Sequence, residues 1–244
     1  MDSCSAPARH RRAFLLASAA GLALAGLPLA TTAAATKIGI IGAGRVGGTV
    51  GELWAKAGHP VMFSSLDLEK DKALAARVGH GAKAGSPREA AAFGEVLFFA
   101  VPYKALPALG REHAASIKGK VVLDASNPVP DTDGAVAVAA VAKGGAGLAS
   151  AEYLAGARVV RAFNCVNWAV MKSEAHRAGE KIGIPIAGDD AAAMKVATRL
   201  VQEAGFDPVA VGGLAAAKLF DLGTPIFGKP HTAAGVRRVL GLGA

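Results

Sequence analysis

Residues Lys37–Ala57 read KIGIIGAGRVGGTVGELWAKA. The stretch opens on a short apolar, β-branched run, Lys37–Ile41. It then passes through Gly42-Ala43-Gly44-Arg45-Val46-Gly47 and continues with helical spacing. A G-x-G-x-x-G between a strand and a helix has a mechanical meaning. The first glycine permits the tight turn, the second lets backbone approach a pyrophosphate, and the third lets the helix pack closely on the strand. The helix start adds free N–H groups and a positive dipole end. Glycine supplies 31 of 244 residues, so the motif has weight only because a strand and a helix flank it. All six positions, Gly42 to Gly47, are predicted to contact a dinucleotide.

From that loop outward the chain alternates strand-like and helix-like segments. Val61–Ser65 reads as a second strand and Leu68–Val78 as a helix ended by Gly79. A short strand near Ala82–Ala84 precedes Ser86-Pro87-Arg88-Glu89, a capping box with Pro at the first helical position. Glu95–Val101, Lys120–Ala125, Ala157–Phe163, Lys181–Ala187 and Asp207–Val211 are further strands, with helices over about Lys104–Ser116, Ala135–Ala142 and from Asp189 or Asp190 to Ala204. A helical tail is expected from Leu214. Repeated β-α units imply an α/β fold of Rossmann type, doubly wound on a mostly parallel sheet. A smaller C-terminal α/β lobe is expected from about residue 165, within a single domain over residues 36–244.

The first 35 residues read differently. Arg9-His10-Arg11-Arg12 forms a basic n-region, Ala13–Ala30 is uncharged and rich in Ala, Leu and Gly, and Ala33-Ala34-Ala35 fits an A-x-A cleavage site. The text Arg11-Arg12-Ala13-Phe14-Leu15 resembles a twin-arginine signal. Export to the periplasm or outside the cell is therefore expected, with a retained membrane anchor as the alternative, since no charge interrupts the chain from Arg12 to Lys37.

Lys and Arg number 27 against 19 Asp and Glu, a net charge of +8. Beyond the leader only Arg237 and Arg238 are adjacent cations, and no basic stripe carries interleaved aromatics, so nucleic acid is not expected as a partner. Cys4 falls in the leader and leaves Cys165 alone, which rules out an intramolecular disulfide in the domain. The six His residues show no ligand spacing, and no metal site is expected.

The cofactor is read from the end of the second strand. NAD-preferring versions of this fold place a carboxylate there for the ribose 2′-OH. Here the position reads Phe63-Ser64-Ser65-Leu66, with no acid. Ser64 and Ser65 offer hydroxyls to a 2′-phosphate, and Arg45 or Lys70 offers the charge-assisted partner, so NADP is expected over NAD. The alternative is that Ser64 and Ser65 only cap the next helix.

Six segments together resemble one family: GIIGAGRVGGTV, GHPVMFSS, VLFFAVPYKAL, KVVLDASNPV, ARVVRAFNCV and PIAGDD–AGFDPVAVGGL. Their order and spacing are similar to those of the F420-dependent NADP oxidoreductases, from Lys37 to about Phe220. The resemblance implies hydride transfer between NADP(H) and a flat acceptor, coenzyme F420 or possible flavin substitutes, in a homodimer. It implies that Val101 and Pro102 lie against the cofactor and that Asn127 and Pro128 reach the nicotinamide side. Ala162, Phe163 and Asn164 would line the hydride-transfer face, with Asn164 and Asn127 as candidate catalytic residues. Such chemistry needs orientation more than a strong acid or base. Tyr103 and His231 are the candidates for an acceptor-side proton donor, each with a structural role as the alternative.

The chain departs from the family in two places. Leu66 stands where an Arg usually grips the 2′-phosphate, and Leu219–Lys229 reads LFDLGTPIFGK in place of an apolar helix that borders the second-substrate pocket. Two other functions remain open: an NADPH-dependent ferric or flavin reductase, and a non-catalytic NADP-binding sensor or partner protein.

Overall fold

The computed structural model describes residues 1–3 and 34–243. Residues 4–33 of the leader, with the twin-arginine text and Cys4, lie outside the described residues. The chain from Ala35 to Ala244 forms one compact unit.

Its eight strands are β1 (Ile38–Ile41), β2 (Val61–Ser64), β3 (Lys83–Ala84), β4 (Val96–Phe99), β5 (Val121–Asp124), β6 (Arg158–Arg161), β7 (Gly183–Gly188) and β8 (Asp207–Gly212). They make one sheet in the order β3-β2-β1-β4-β5-β6-β7-β8. Every neighbouring pair is parallel except β6 and β7, which meet antiparallel over Val160↔Gly188 and Arg161↔Ala187. The fold is thus the expected Rossmann-type α/β architecture, with the strand order reversing between β1 and β4. The C-terminal part does not stand apart as its own lobe, because β7 and β8 extend the same sheet.

The helices are α1 (Arg45–Lys56), α2 (Leu68–Val78), α3 (Pro87–Phe93), α4 (Leu106–Glu112), α5 (Ala114–Ile117), α6 (Pro130–Asp133), α7 (Ala135–Ala142), α8 (Ala146–Tyr153), α9 (Trp168–Glu174), α10 (Ala191–Glu203) and α11 (Ala233–Val239). Local chemistry sets several of their ends. Asp67 caps α2 by accepting from Lys70 N–H at 3.1 Å, and Asp190 caps α10 by accepting from Ala193 N–H at 2.7 Å. The Ser86–Glu89 capping box forms as expected at α3. The helix expected over Lys104–Ser116 is broken into a 3-10 turn, α4 and α5, with His113 between the last two. The expected tail helix is a 3-10 stretch, Leu214–Phe220, followed by turns and then α11.

The sheet is covered on both sides, so its strands are apolar at nearly every position. Alternate residues sort to the two faces. Ile38, Ile40, Phe63, Phe98 and Leu123 pack with Trp54 on one, and Ile41, Leu97, Phe99 and Val122 pack with Tyr103 on the other. A polar clasp joins the start of the domain to α10. Thr36 N–H donates to His59 Nδ1 at 3.1 Å, which leaves the ring proton on Nε2 to donate to Glu203 at 2.9 Å. Arg199 closes the clasp by donating to Thr36 Oγ1 at 2.9 Å.

Candidate functional site

The glycine loop leaves β1 at the reversal of strand order, where open α/β sheets form their crevice. Gly42 and Ala43 both donate their N–H to the Ser64 carbonyl at 2.9 Å, so the ends of β1 and β2 are pinned together. Gly42 adopts φ +98°, and a Cβ there would come within 2.5 Å of the Ala100 carbonyl oxygen. A Cβ at Gly47 would run into the Gly42 carbonyl oxygen, which is the close helix–strand approach expected of the third glycine. Gly44 differs: a Cβ there would meet nothing within 4 Å. It is exposed at the N-cap of α1 and makes no side-chain cap. The first-turn N–H groups of α1 therefore have no intrahelical acceptor and face open space, a cradle suited to an anion.

That open space is a cavity of about 850 Å³ formed by the loops after β1, β2 and β4 and by one face of α9. Gly42, Ala43, Gly44, Arg45, Ser65, Lys70, Val101 and Pro102 line it, as do Leu66, Asp67, Asp71, Arg77, Lys104, Trp168 and Lys172. Val46 and Gly47 belong to the loop but sit behind the lining. Sequence reasoning missed α9 and its Trp168, whose ring lies 5.5 Å under the Arg45 guanidinium. The short Asn167-capped helix carries no periodic signal, though a Trp two residues beyond an apolar run was the one available hint.

The two serines expected at a 2′-phosphate are otherwise engaged. Ser64 is fully buried and its hydroxyl donates to the Ile40 carbonyl at 2.6 Å, so it is a strand residue and not a ligand. Ser65 donates its one proton to the Asp71 carboxylate, 2.9 Å from either oxygen. Two acids thus border the second strand's end although Phe63–Leu66 holds none. Asp67 is half-exposed and paired with Lys70 Nζ at 2.9 Å, which holds its carboxyl below the usual carboxylate range. The cations facing the cavity are Arg45, Lys70, Arg77 (paired with Glu52 at 2.9 Å), Lys104 and Lys172, while Leu66 stands fully exposed on the rim.

Asp71 has the opposite shift. Burial pushes its carboxyl above the usual range, the Ser65 hydrogen bonds pull it down by less, and the nearby Asp67 charge adds to the rise. The native state holds this proton more tightly than the unfolded chain does. The contribution to stability is complete below the unfolded value near 3.8 and is lost as pH rises through the folded value. Asp71→Asn should therefore gain on the wild type as pH rises from the unfolded value near 3.8 through the raised folded one. Urea midpoints of the two proteins across that range check this, and parallel curves would refute it.

The remaining predicted residues gather one strand away, at the ends of β5 and β6. Asn127 Nδ2 donates to the Asn164 carbonyl at 2.7 Å, and Asn164 Nδ2 donates to Asn127 Oδ1 at 3.2 Å and to the Phe220 carbonyl at 3.2 Å. The structure thus brings Asn127 and Asn164 together, with Asn127 the partly exposed member. Pro128 is buried beside them. Ala162 and Phe163 are not among the residues lining the cavity: both are buried, and Phe163 packs edge-on to Trp54, Phe98 and Phe206. Phe163 also holds φ +61°, a strained value that this packing sustains.

Neither expected proton donor is placed for that role. Tyr103 is fully buried, its hydroxyl donates to the Ala146 carbonyl at 3.0 Å, and desolvation raises its pKa. His231 lies away from the cavity, against Gly235 at the start of α11. Cys165 is buried and its thiol is pushed up to about 12, so it is not a reactive thiolate. The divergent Leu219–Lys229 segment turns inward: Phe220 is core, Asp221 accepts from Ala146 N–H at 2.9 Å, and Gly228 N–H donates to the Cys165 carbonyl at 2.7 Å.

No curated protein matches the chain. Among solved structures it is similar to a hypothetical protein from Sinorhizobium meliloti, at 25% identity and a TM-score of 0.67 over 81% of this chain and 95% of that one. A candidate F420-dependent NADP-reductase from Arthrobacter sp. FB24 matches at 23% identity and a TM-score of 0.61, over 75% of this chain and 87% of that one. Pyrroline-5-carboxylate reductase from Coxiella burnetii matches at 15% identity and 0.54, over 77% and 64%. At the level of sequence, residues 37–128 match the family described as NADP oxidoreductase, coenzyme F420-dependent.

Proposed function

We propose that the chain is an NADP(H)-dependent oxidoreductase that exchanges hydride between the nicotinamide and a flat acceptor such as coenzyme F420. The observation that carries this reading is the Gly44 cradle. An uncapped helix start opens on a crevice-side cavity large enough for a dinucleotide, within the segment that matches the NADP oxidoreductase family. When bound, NADP(H) supplies the hydride chemistry at its nicotinamide C4. The chain's residues bind and orient: α1's first N–H groups and Arg45 meet the pyrophosphate, and Lys70 meets the 2′-phosphate. Lys70 is highly exposed and can exchange Asp67 for a phosphate without leaving a buried charge behind.

The test is single-turnover oxidation of NADPH by residues 36–244 with F420 supplied and NADH run in parallel. Rapid loss of NADPH, at least about tenfold faster than NADH, is the expected result, with the preference shrinking in Lys70→Ala. Tight NADPH binding without oxidation would overturn F420 as acceptor. Equal rates with NADH would overturn the choice of NADP, and Asp67 would then be the residue that meets a ribose hydroxyl.

A further inference from the structure

The ends of β5 and β6 hold a buried ionic cluster that no role above uses. The register sets Asp124 beside Arg161, and neither has any exposure. Arg161 Nη1 donates to Asp124 Oδ2 at 2.6 Å and to the Ser126 carbonyl at 2.7 Å. Its Nη2 donates to Asn127 Oδ1 at 3.4 Å and lies 3.5 Å from Asp221 Oδ1. A buried ion pair is poor evidence for stability, because well-packed apolar residues often replace one without loss. The arrangement calls for another explanation, and the Asn127 side chain supplies it.

A carboxamide can sit either way round, and its neighbours decide which. Asn127 Oδ1 faces two donors, Arg161 Nη2 and Asn164 Nδ2, while its Nδ2 faces the Asn164 carbonyl. The flipped amide would set NH₂ against two donors and oxygen against oxygen. One orientation is therefore selected, and it leaves the second Nδ2 hydrogen uncommitted on the one partly exposed residue of the cluster. The same guanidinium holds the Ser126 carbonyl, and Ser126 Oγ accepts from Val101 N–H at 3.3 Å in the cavity wall.

We propose that Arg161 is a positioning residue for the nicotinamide end of the cofactor. It fixes the Asn127 carboxamide as a hydrogen-bond donor and ties the Ser126–Asn127 loop to the cavity wall. The nicotinamide's own carboxamide oxygen is the acceptor that such a donor recognises. This inference rests on the NADP(H) reading above.

Arg161→Lys tests it, because the ammonium keeps the charge between Asp124 and Asp221 but has no planar fork to serve Asp124, Ser126 and Asn127 together. NADPH and 2′,5′-ADP, which lacks the nicotinamide, are titrated by calorimetry against the wild type, Arg161→Lys, Asn127→Ala and the double variant. NADPH affinity should fall about tenfold in Arg161→Lys, the scale of one hydrogen bond, with 2′,5′-ADP unchanged. The double variant should bind no more weakly than Asn127→Ala alone, since Arg161 acts through Asn127. Wild-type NADPH affinity in Arg161→Lys, equal loss of both nucleotides, or additive effects in the double variant would each overturn the proposal. Should Arg161→Lys not fold, Asp124→Asn loosens the guanidinium without removing it and is held to the same selective loss. A wild type that binds neither nucleotide would instead sink the NADP(H) reading.

Discussion

Gly44→Val should leave the chain folded and weaken NADPH binding by at least about a hundredfold, or roughly 2.7 kcal/mol. Gly44 holds φ −72° and ψ −151°, with φ in the ordinary negative range, and a Cβ there touches nothing within 4 Å. The cost to folding is confined to a poorer helix cap, about 1 kcal/mol, or a shift of about 2–4 °C in Tm. The valine methyls would instead stand where an anion must approach the first turn of α1. Gly47→Ala is the control with the opposite outcome. Its methyl collides with the Gly42 carbonyl oxygen, so it should lose stability whether or not nucleotide is present. Thermal melts and fluorescence titrations of the two variants separate these effects. A Gly44→Val protein that binds NADPH as the wild type does would show that the loop is not the phosphate cradle.

Trp54→Ala should cost about 3–5 kcal/mol, enough to lower Tm by roughly 10 °C in a domain of this size. Trp54 is fully buried, and its ring meets Phe98 at 5.2 Å and Phe163 at 5.8 Å, both edge-on. Its Nε1 donates to the Leu200 carbonyl at 2.8 Å. One indole thus joins α1, β4, the end of β6 and α10. Trp54→Phe keeps most of the ring contact and loses the hydrogen bond, so a smaller cost of about 1–2 kcal/mol is expected. Urea denaturation of the two variants measures both numbers. Equal costs would mean that the hydrogen bond, and not ring packing, dominates at this position.

Much of the fold is legible from local signals that agree with the tertiary structure. The helix expected over Leu68–Val78 has the observed bounds because Asp67 caps one end and Gly79 closes the other. The strands are legible because burial on both faces leaves them almost wholly apolar. α8 was not foreseen: AGLASAEY follows two glycines at positive φ and has no clear apolar stripe, so only its packing against the 3-10 stretch defines it. The second strand's end shows the limit for the site. Text cannot tell that the Ser64 hydroxyl turns into the sheet, or that Ser65 spends its proton on an acid six residues further on. Asp124, Arg161 and Asp221 are likewise unrelated in the sequence, since each ends or follows an apolar run and reads as a surface charge. Only the parallel register of β5 and β6 and the inward turn after Phe220 bring them together.

The antiparallel meeting of β6 and β7 bears on how the molecule breathes. Two residue pairs carry that seam, Val160↔Gly188 and Arg161↔Ala187, whereas β1 meets each of its neighbours over four. Segments with few ladder bonds open locally at free energies below that of global unfolding. Arg161 is one of the four residues in the seam, and its side chain also holds the Ser126 carbonyl and the Asn127 amide, so opening there is expected to disturb both. Faster solvent exchange at Ala187 than along β1 is the expected sign of such opening, and slower exchange there once nucleotide is bound would tie the C-terminal strands to the crevice.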